Sequence, residues 1–277
     1  MVRRSSVLDG KVALVTGAGH GIGRIIAKVF AQEGASVVFS DIQQNAGETA
    51  AESARDLGLS ALFFRADLRQ EGDIKELIHF AGQKFGRLDI VVNNARPRLR
   101  QLSFVESLQE WDLAMDVLLK APVLIAKYAL PQMLKSGGGN FINIGSTNST
   151  FVSQQPVAYH VAKAGIVQLT RYMAYQFGPQ GIRVNAICPG LVDLYDENKP
   201  LTSDPLNKKA TKLAVPLRRA SYGEDIAEAA LFLCTKSSAY ITGQVLIVDG
   251  GLSLGDHFQI ARNALSEGPL IVVGEDV

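Results

Sequence analysis

"VTGAGHGIGR" (residues 15–24) follows directly on the apolar run "KVALVT" (11–16) and opens a segment whose apolar residues recur at helical spacing. In that strand–turn–helix setting Gly17, Gly21 and Gly23 permit a tight turn, close backbone approach to a ligand and intimate packing of the helix. The unpaired N–H groups at the start of such a helix, at the positive end of its dipole, form a site for a pyrophosphate. A glycine triplet alone is a weak signal, and its placement is what gives it weight. Asp41 ends the next apolar run, "SVVFSD" (36–41). A carboxylate there accepts hydrogen bonds from both adenosine ribose hydroxyls and repels a 2′-phosphate, which favours NAD over NADP. His20 and Arg24 place positive charge in the same loop, the one feature that would attract a phosphate.

The pattern continues outward. Further apolar runs are "SALFFRA" (60–66), "LDIVVN" (88–93), "GNFINIG" (139–145), "IRVNAIC" (182–188) and "QVLIVD" (244–249), with helical stretches near 22–34, 43–57, 70–85, 107–135, 156–178 and 223–235. Fully apolar strands joined by crossovers of this length imply a parallel sheet covered on both faces. Right-handed crossovers then give an α/β fold: a single doubly wound Rossmann-type domain with a seven-stranded parallel sheet. No repeat or linker divides the chain, so residues 1–277 are expected to form one dinucleotide-binding and catalytic unit. The stretch 107–135 is apolar over too wide an arc for one surface helix, and a helix held between its own sheet and another subunit is the expected cause.

Composition excludes several classes. The formal charge is +1, from 28 basic and 27 acidic residues, so nothing global steers the chain to nucleic acid or a membrane. Asp9 and Lys11 break any apolar signal core near the start, and no run of ~18 apolar residues appears, so a cytoplasmic protein is expected. Cys188 and Cys234 form no metal or disulfide pattern and read as small buried hydrophobes. No metal site is expected.

Tyr159 and Lys163, in "AYHVAKAG" (158–165), share one helix face at i and i+4, where a neighbouring ammonium favours phenolate. Together with "TGAGHGIG" (16–23), "ADL" (66–68), "NNA" (93–95), "NIGS" (143–146), "YHVAK" (159–163), "RVNAICPG" (183–190) and "VDGG" (248–251), this order and spacing resembles the classical short-chain dehydrogenase/reductase family. The resemblance covers about residues 8–252.

It implies Ser146, Tyr159 and Lys163 as the catalytic set. Tyr159 would exchange the alcohol proton as hydride passes to or from C4 of the nicotinamide, Ser146 would hydrogen-bond the alkoxide, and Lys163 would hold the nicotinamide ribose. It further implies cofactor contacts by Gly17, Gly19, His20, Gly21, Ile22 and Gly23 in the loop. Asp41 and Ile42, then Asp67 and Leu68, would serve the adenosine end, Asp67 at the adenine. Asn93 would brace the central strands and Ala95 would lie beside it, while Pro189, Gly190 and Val192 would serve the nicotinamide. A homotetramer is the family's common state. His160 faces elsewhere on its helix and is expected to be non-catalytic.

The sequence departs from the family at three places. Leu118 in "WDLAMDVLLK" (111–120) replaces an asparagine that normally helps hold a water on the path from the lysine to solvent. Arg96 replaces a glycine, and Leu194 stands where a threonine is frequent. Arg96, Arg98 and Arg100 in "ARPRLRQ" (95–101) suggest an anionic substrate, since the guanidinium fork suits carboxylate or phosphate. Residues 191–222 read as a long polar loop closing over substrate. Residues 252–277, ending in "PLIVVGEDV", read as an edge strand or an inter-subunit arm.

The leading expectation is an NAD(H)-dependent oxidoreductase interconverting a secondary alcohol and a ketone. The rivals are a lyase or epimerase using bound NAD, and a cofactor-binding protein whose catalysis weakened with the loss of that asparagine.

Overall fold

Successive residues along each central strand divide between two hydrophobic layers. In this computed structural model, which describes residues 6–99, 107–194 and 200–266, Ala13, Val15, Val37, Phe39 and Val92 pack on one side of the sheet. Val12, Leu14, Val38, Val91 and Phe141 pack on the other. Period-two alternation with both faces apolar is what a sheet covered on both sides requires.

The strands are β1 (Val12–Thr16), β2 (Ser36–Asp41), β3 (Ala61–Arg65), β4 (Ile90–Asn93), β5 (Gly139–Ile144), β6 (Ile182–Pro189), β7 (Val192–Asp193), β8 (Ser221–Tyr222) and β9 (Val245–Val248). The helices are α1 (Gly21–Gln32), α2 (Gln44–Arg55), α3 (Glu71–Phe85), α4 (Leu108–Met115), α5 (Ala121–Lys135), α6 (Val157–Phe177), α7 (Pro205–Ala214), α8 (Gly223–Cys234) and α9 (His257–Ser266). Seven strands form one parallel sheet in the order β3-β2-β1-β4-β5-β6-β9. These are the seven apolar runs of the sequence. Helices α1 and α8 bring Ile26, Phe30 and Ile226 to one layer, and α3, α5 and α6 bring Ile74, Leu77, Ile125 and Met173 to the other. Burying Phe30 and Phe141 completely stabilises the fold by about 2–3 kcal/mol each. The sequence order reverses between β1 and β4, and ligands bind beyond the carboxyl ends of strands at such a point.

Three segments differ from their sequence reading. The stretch 107–135 is two helices joined by a π turn, Asp116–Lys120. The turn rotates one helix against the other, so Leu118 packs against Ala158, Tyr159 and Ala162 while Ile125 faces the α3 layer. Leu118 and Ile125 are buried in this way, but Val123 is 46% exposed and Trp111, Leu113 and Leu124 are half-buried, so the chain by itself covers only part of the wide apolar arc. Residues 191–222 are not a simple loop: the described part holds β7, α7 and β8. Asp204 starts α7 by accepting from the Leu206 N–H at 2.7 Å, with Pro205 at the first helical position. Buried Asp193 accepts from the Thr202 N–H at 3.2 Å and from its hydroxyl, which anchors the turn before α7 to β7, and the Ser221 N–H donates to the Leu191 carbonyl at 2.9 Å, tying the segment's two ends together. After "VDGG" the chain forms α9, and "PLIVVGEDV", the stretch read as an edge strand or arm, lies outside the described residues. Among the described residues no helix is long and apolar enough to cross a membrane, and no cluster of side chains is suited to a metal ion.

Candidate active site

The glycine loop is built against the residues that follow β4. Gly17 has φ +63°, and a Cβ on it would lie 2.8 Å from the Ala95 Cα. A Cβ on Gly23 would run into the Gly17 carbonyl and the Asn94 side-chain amide. That amide donates to the carbonyls of Thr16 at 2.9 Å and Gly17 at 3.1 Å. The Thr16 hydroxyl accepts from the N–H groups of Asn94 (3.1 Å) and Ala95 (3.2 Å) and donates to the Val92 carbonyl at 3.2 Å. Thr16 and Asn94 thus set the loop's shape, a role the sequence reading gave to neither. The signal was the second asparagine of "NNA". Helix α1 has no acidic residue in its first turn, so its own chain does not offset the positive end of the dipole.

At the end of β2 the Asp41 carboxylate accepts from the Gly19 N–H and the Gln43 N–H, both at 2.9 Å. It is thereby fixed at the edge of the cleft. Asp67 is gripped by Arg69, whose Nε donates to its two oxygens at 2.9 and 3.0 Å, and this holds its carboxyl below the usual carboxylate range. The Asp67 N–H donates to Asp73 at 2.8 Å.

Across the strand ends runs a cleft of about 890 Å³, at the upper end of the size of ligand pockets. Gly17, His20, Gly21, Ile22, Asp41, Ile42, Asp67 and Leu68 line one part of it. Ala95, Ser146, Tyr159, Lys163, Pro189, Gly190 and Val192 line the rest. Of the residues expected at the cofactor, Gly19, Gly23 and Asn93 are not among its lining. Gly23 packs under the loop, and Gly19 turns its N–H to Asp41. Asn93 donates to the Asn143 side chain at 2.8 Å, which donates in turn to the Thr170 hydroxyl at 2.8 Å, so it joins β4, β5 and α6 beneath the site. Leu194 also lines the cleft but brings no hydroxyl to it.

Ser146 follows the end of β5, while Tyr159 and Lys163 project from α6. All three are buried. The Ser146 Oγ accepts from the Asn148 N–H at 3.1 Å, which leaves its own hydrogen to donate. The Lys163 Nζ donates to the Ile144 carbonyl at 2.5 Å and stands 5.7 Å from the centre of the Tyr159 ring. Burial, with the Arg96 charge second, pushes the Lys163 ammonium down to about 8. The Arg96 guanidinium stacks on the same ring, with its Cζ 4.9 Å from the centroid. His160 is occupied structurally: its Nε2 accepts from the Ser153 N–H at 3.1 Å and its Nδ1 lies 3.0 Å from the Pro156 carbonyl.

Arg98 lines the cleft beside Arg96, whereas Arg100 lies outside the described residues. A glycine cradle with no room for a Cβ, an acid fixed at one end and a buried tyrosine–lysine pair at the other fit an extended dinucleotide.

Comparison with known proteins agrees. A family model described as enoyl-(acyl carrier protein) reductase matches residues 17–253. The chain is 37% identical over 247 residues to a 7alpha-hydroxysteroid dehydrogenase of Escherichia coli, covering 88% of this chain and 94% of that one. It is 34% identical over 248 residues to a 3-oxoacyl-[acyl-carrier-protein] reductase of Thermotoga maritima, covering 88% and 98%. A crystal structure assigned as a short-chain alcohol dehydrogenase from Sinorhizobium meliloti superposes with a TM-score of 0.84 at 30% identity, covering 91% of this chain and 100% of that one. With fold, glycine cradle and the serine–tyrosine–lysine set all in register, the chain belongs to the classical short-chain dehydrogenase/reductase family of oxidoreductases.

Proposed function

We propose that this oxidoreductase interconverts a secondary alcohol and a ketone with NAD(H). The observation that carries the reading is the cleft itself, which runs from Asp41 at one end to Ser146, Tyr159 and Lys163 at the other. A bound nicotinamide supplies the hydride acceptor or donor. The chain's own residues do the rest. Tyr159 takes the proton from the carbinol oxygen, or returns it in reduction, and the Ser146 hydroxyl donates to the same oxygen as charge develops. Lys163 uses one N–H on the Ile144 carbonyl and has two more for ribose hydroxyls. Asp41 offers acceptors to a 2′,3′-diol and repels a 2′-phosphate.

The hydroxysteroid dehydrogenase and oxoacyl reductase among the relatives support carbinol and carbonyl chemistry. Nothing observed favours a lyase or an epimerase. Arg96 and Arg98 at the cleft support an anionic substrate, and residues 191–222, with Leu194 and Leu201 facing the cleft, support closure of that segment over bound ligand. Tyr172 and Tyr175 of α6 are 62% and 87% exposed, an apolar face that an oligomer would cover.

The deciding experiment follows absorbance at the NADH band with purified protein, NAD⁺ or NADP⁺ and a panel of secondary alcohols. NADH appearance with NAD⁺ preferred is the expected result. Saturable NAD⁺ binding with no product from any alcohol or ketone refutes the activity, and preference for NADP⁺ refutes the role of Asp41.

A further inference from the structure

Arg96, Ser146, Tyr159 and Gly190 line both the dinucleotide cleft and an adjoining pocket of about 420 Å³. A reacting carbon must sit where the two meet, so the adjoining pocket takes the rest of the substrate. Its described lining holds no carboxylate. The permanent charge there is Arg96, whose Nη2 donates to the Gln155 side-chain oxygen at 3.0 Å and whose face lies on the Tyr159 ring. Among the described residues Arg96 has these two partners and no counter-ion. The pocket's apolar wall is Phe151, Leu191 and Leu252, and His257 of α9 stands with Leu252 on the C-terminal side.

We infer that Arg96 receives a substrate carboxylate, and that the substrate is a short 2- or 3-hydroxy acid or the matching oxo acid. This rests on the alcohol–ketone reading above and deepens it. The phenolic hydroxyl that exchanges the proton is carried on the ring under the guanidinium. A carboxylate seated on Arg96 therefore begins beside the carbinol carbon, and an acid with its charge at the end of a long chain cannot reach both groups. The guanidinium's remaining donors match two carboxylate oxygens, while Gln155 holds the fork from the other side. The phosphorylated alcohol in the test below separates a carboxylate from a phosphate. The hydrocarbon end of the acid fits the Phe151, Leu191 and Leu252 wall. In oxidation the acid's carbinol loses a hydride to NAD⁺ and a proton through Tyr159, giving the oxo acid, NADH and H⁺.

The test compares 3-hydroxybutanoate, 2-hydroxybutanoate, their methyl esters and a phosphorylated secondary alcohol on wild type and Arg96→Met. The readout is the acid-to-ester ratio of kcat/KM. Effects on cofactor, Tyr159 or Lys163 cancel in that ratio. Loss of a hydrogen bond between charged groups should lower it about ten- to a hundredfold. A ratio unchanged by Arg96→Met, or a wild type that prefers the ester or the phosphate, overturns the proposal. If no alcohol turns over, binding of unreactive butanoate and butanamide to the NADH complex is measured by calorimetry. Butanoate binding at least tenfold tighter, and only with Arg96 present, upholds the carboxylate seat while the alcohol–ketone reading fails. Equal binding of the two overturns the seat as well.

Discussion

Removing the Lys163 ammonium should change how the protein's stability depends on pH. In the folded chain this group is buried and titrates at about 8, against an ordinary value of 10.5. Between these values the unfolded chain binds more protons at this site than the folded one, so stability rises with pH across the window. One pKa unit corresponds to about 1.4 kcal/mol, so the full span is about 3 kcal/mol. About 2 kcal/mol of it is recovered between pH 7 and pH 9.5. Lys163→Met removes this titration, while the bond to the Ile144 carbonyl is made by both protonation states of the lysine and so does not vary over the window. Urea unfolding of wild type and variant at a series of pH values gives the difference in stability, in which titrating groups remote from Lys163 cancel. The wild type should gain about 2 kcal/mol on the variant from pH 7 to 9.5. A flat difference refutes the buried, depressed ammonium.

Three further outcomes follow from the site. Asp41→Ser should lower the NAD-to-NADP ratio of kcat/KM about ten- to a hundredfold, since it removes a charged acceptor for the ribose diol and the repulsion of a 2′-phosphate; an unchanged ratio places selectivity elsewhere. Gly23→Ala drives a Cβ into the Gly17 carbonyl and Asn94 amide, so NAD⁺ affinity measured by calorimetry should fall at least tenfold, whereas Gly72→Ala, which meets nothing within 4 Å, should leave it unaltered. Leu118→Asn puts an amide among Ala158, Tyr159 and Ala162 and should cost roughly 1–3 kcal/mol in urea unfolding; where proton passage from Lys163 limits turnover, the same variant should raise kcat and shrink the solvent isotope effect, and an unchanged kcat removes Leu118 from the proton path.

The sheet was legible because its strands are buried on both faces, which forces short runs rich in Val, Ile, Leu and Phe between helical stretches. Asp41 and the Tyr159–Lys163 pair were legible for a similar reason, since strand ends and i, i+4 spacing fix position before packing does. The π turn at Asp116–Lys120 was not, because a single added backbone residue leaves no mark in composition and merely smears the apolar arc. Helix α7 left a mark that polar composition hid: Asp204 followed by Pro205 is an N-terminal signature, but Lys208, Lys209 and Lys212 made the stretch read as solvated loop. The stacking of Arg96 on Tyr159 joins residues far apart in sequence, and only the packing of the loop after β4 against α6 brings it about. For the same reason the sequence marked all three arginines of that loop as candidates without ranking them.

Two cations beside one phenol make the ligand-free site electrostatically costly, and a carboxylate on Arg96 relieves that cost in a way that can be measured. The Arg96 charge is the second cause, after burial, of the depressed Lys163 value. An anion seated on Arg96 offsets this charge, so the affinity of Lys163 for its proton rises on binding. The Cys188 thiol also faces Lys163, but burial raises its own value above 9.0, so near pH 8 it stays protonated and takes up nothing further. Binding of butanoate to the NADH complex should therefore draw a fraction of a proton from solution, most strongly near pH 8 and less at pH 6.5, where Lys163 is already charged. Calorimetry in buffers of differing ionisation enthalpy reads that fraction directly. By reciprocity the acid must bind more weakly as pH rises through the window. In Arg96→Met the uptake should vanish along with the affinity. Binding enthalpies that are identical in every buffer would break the link between the carboxylate seat and the catalytic lysine.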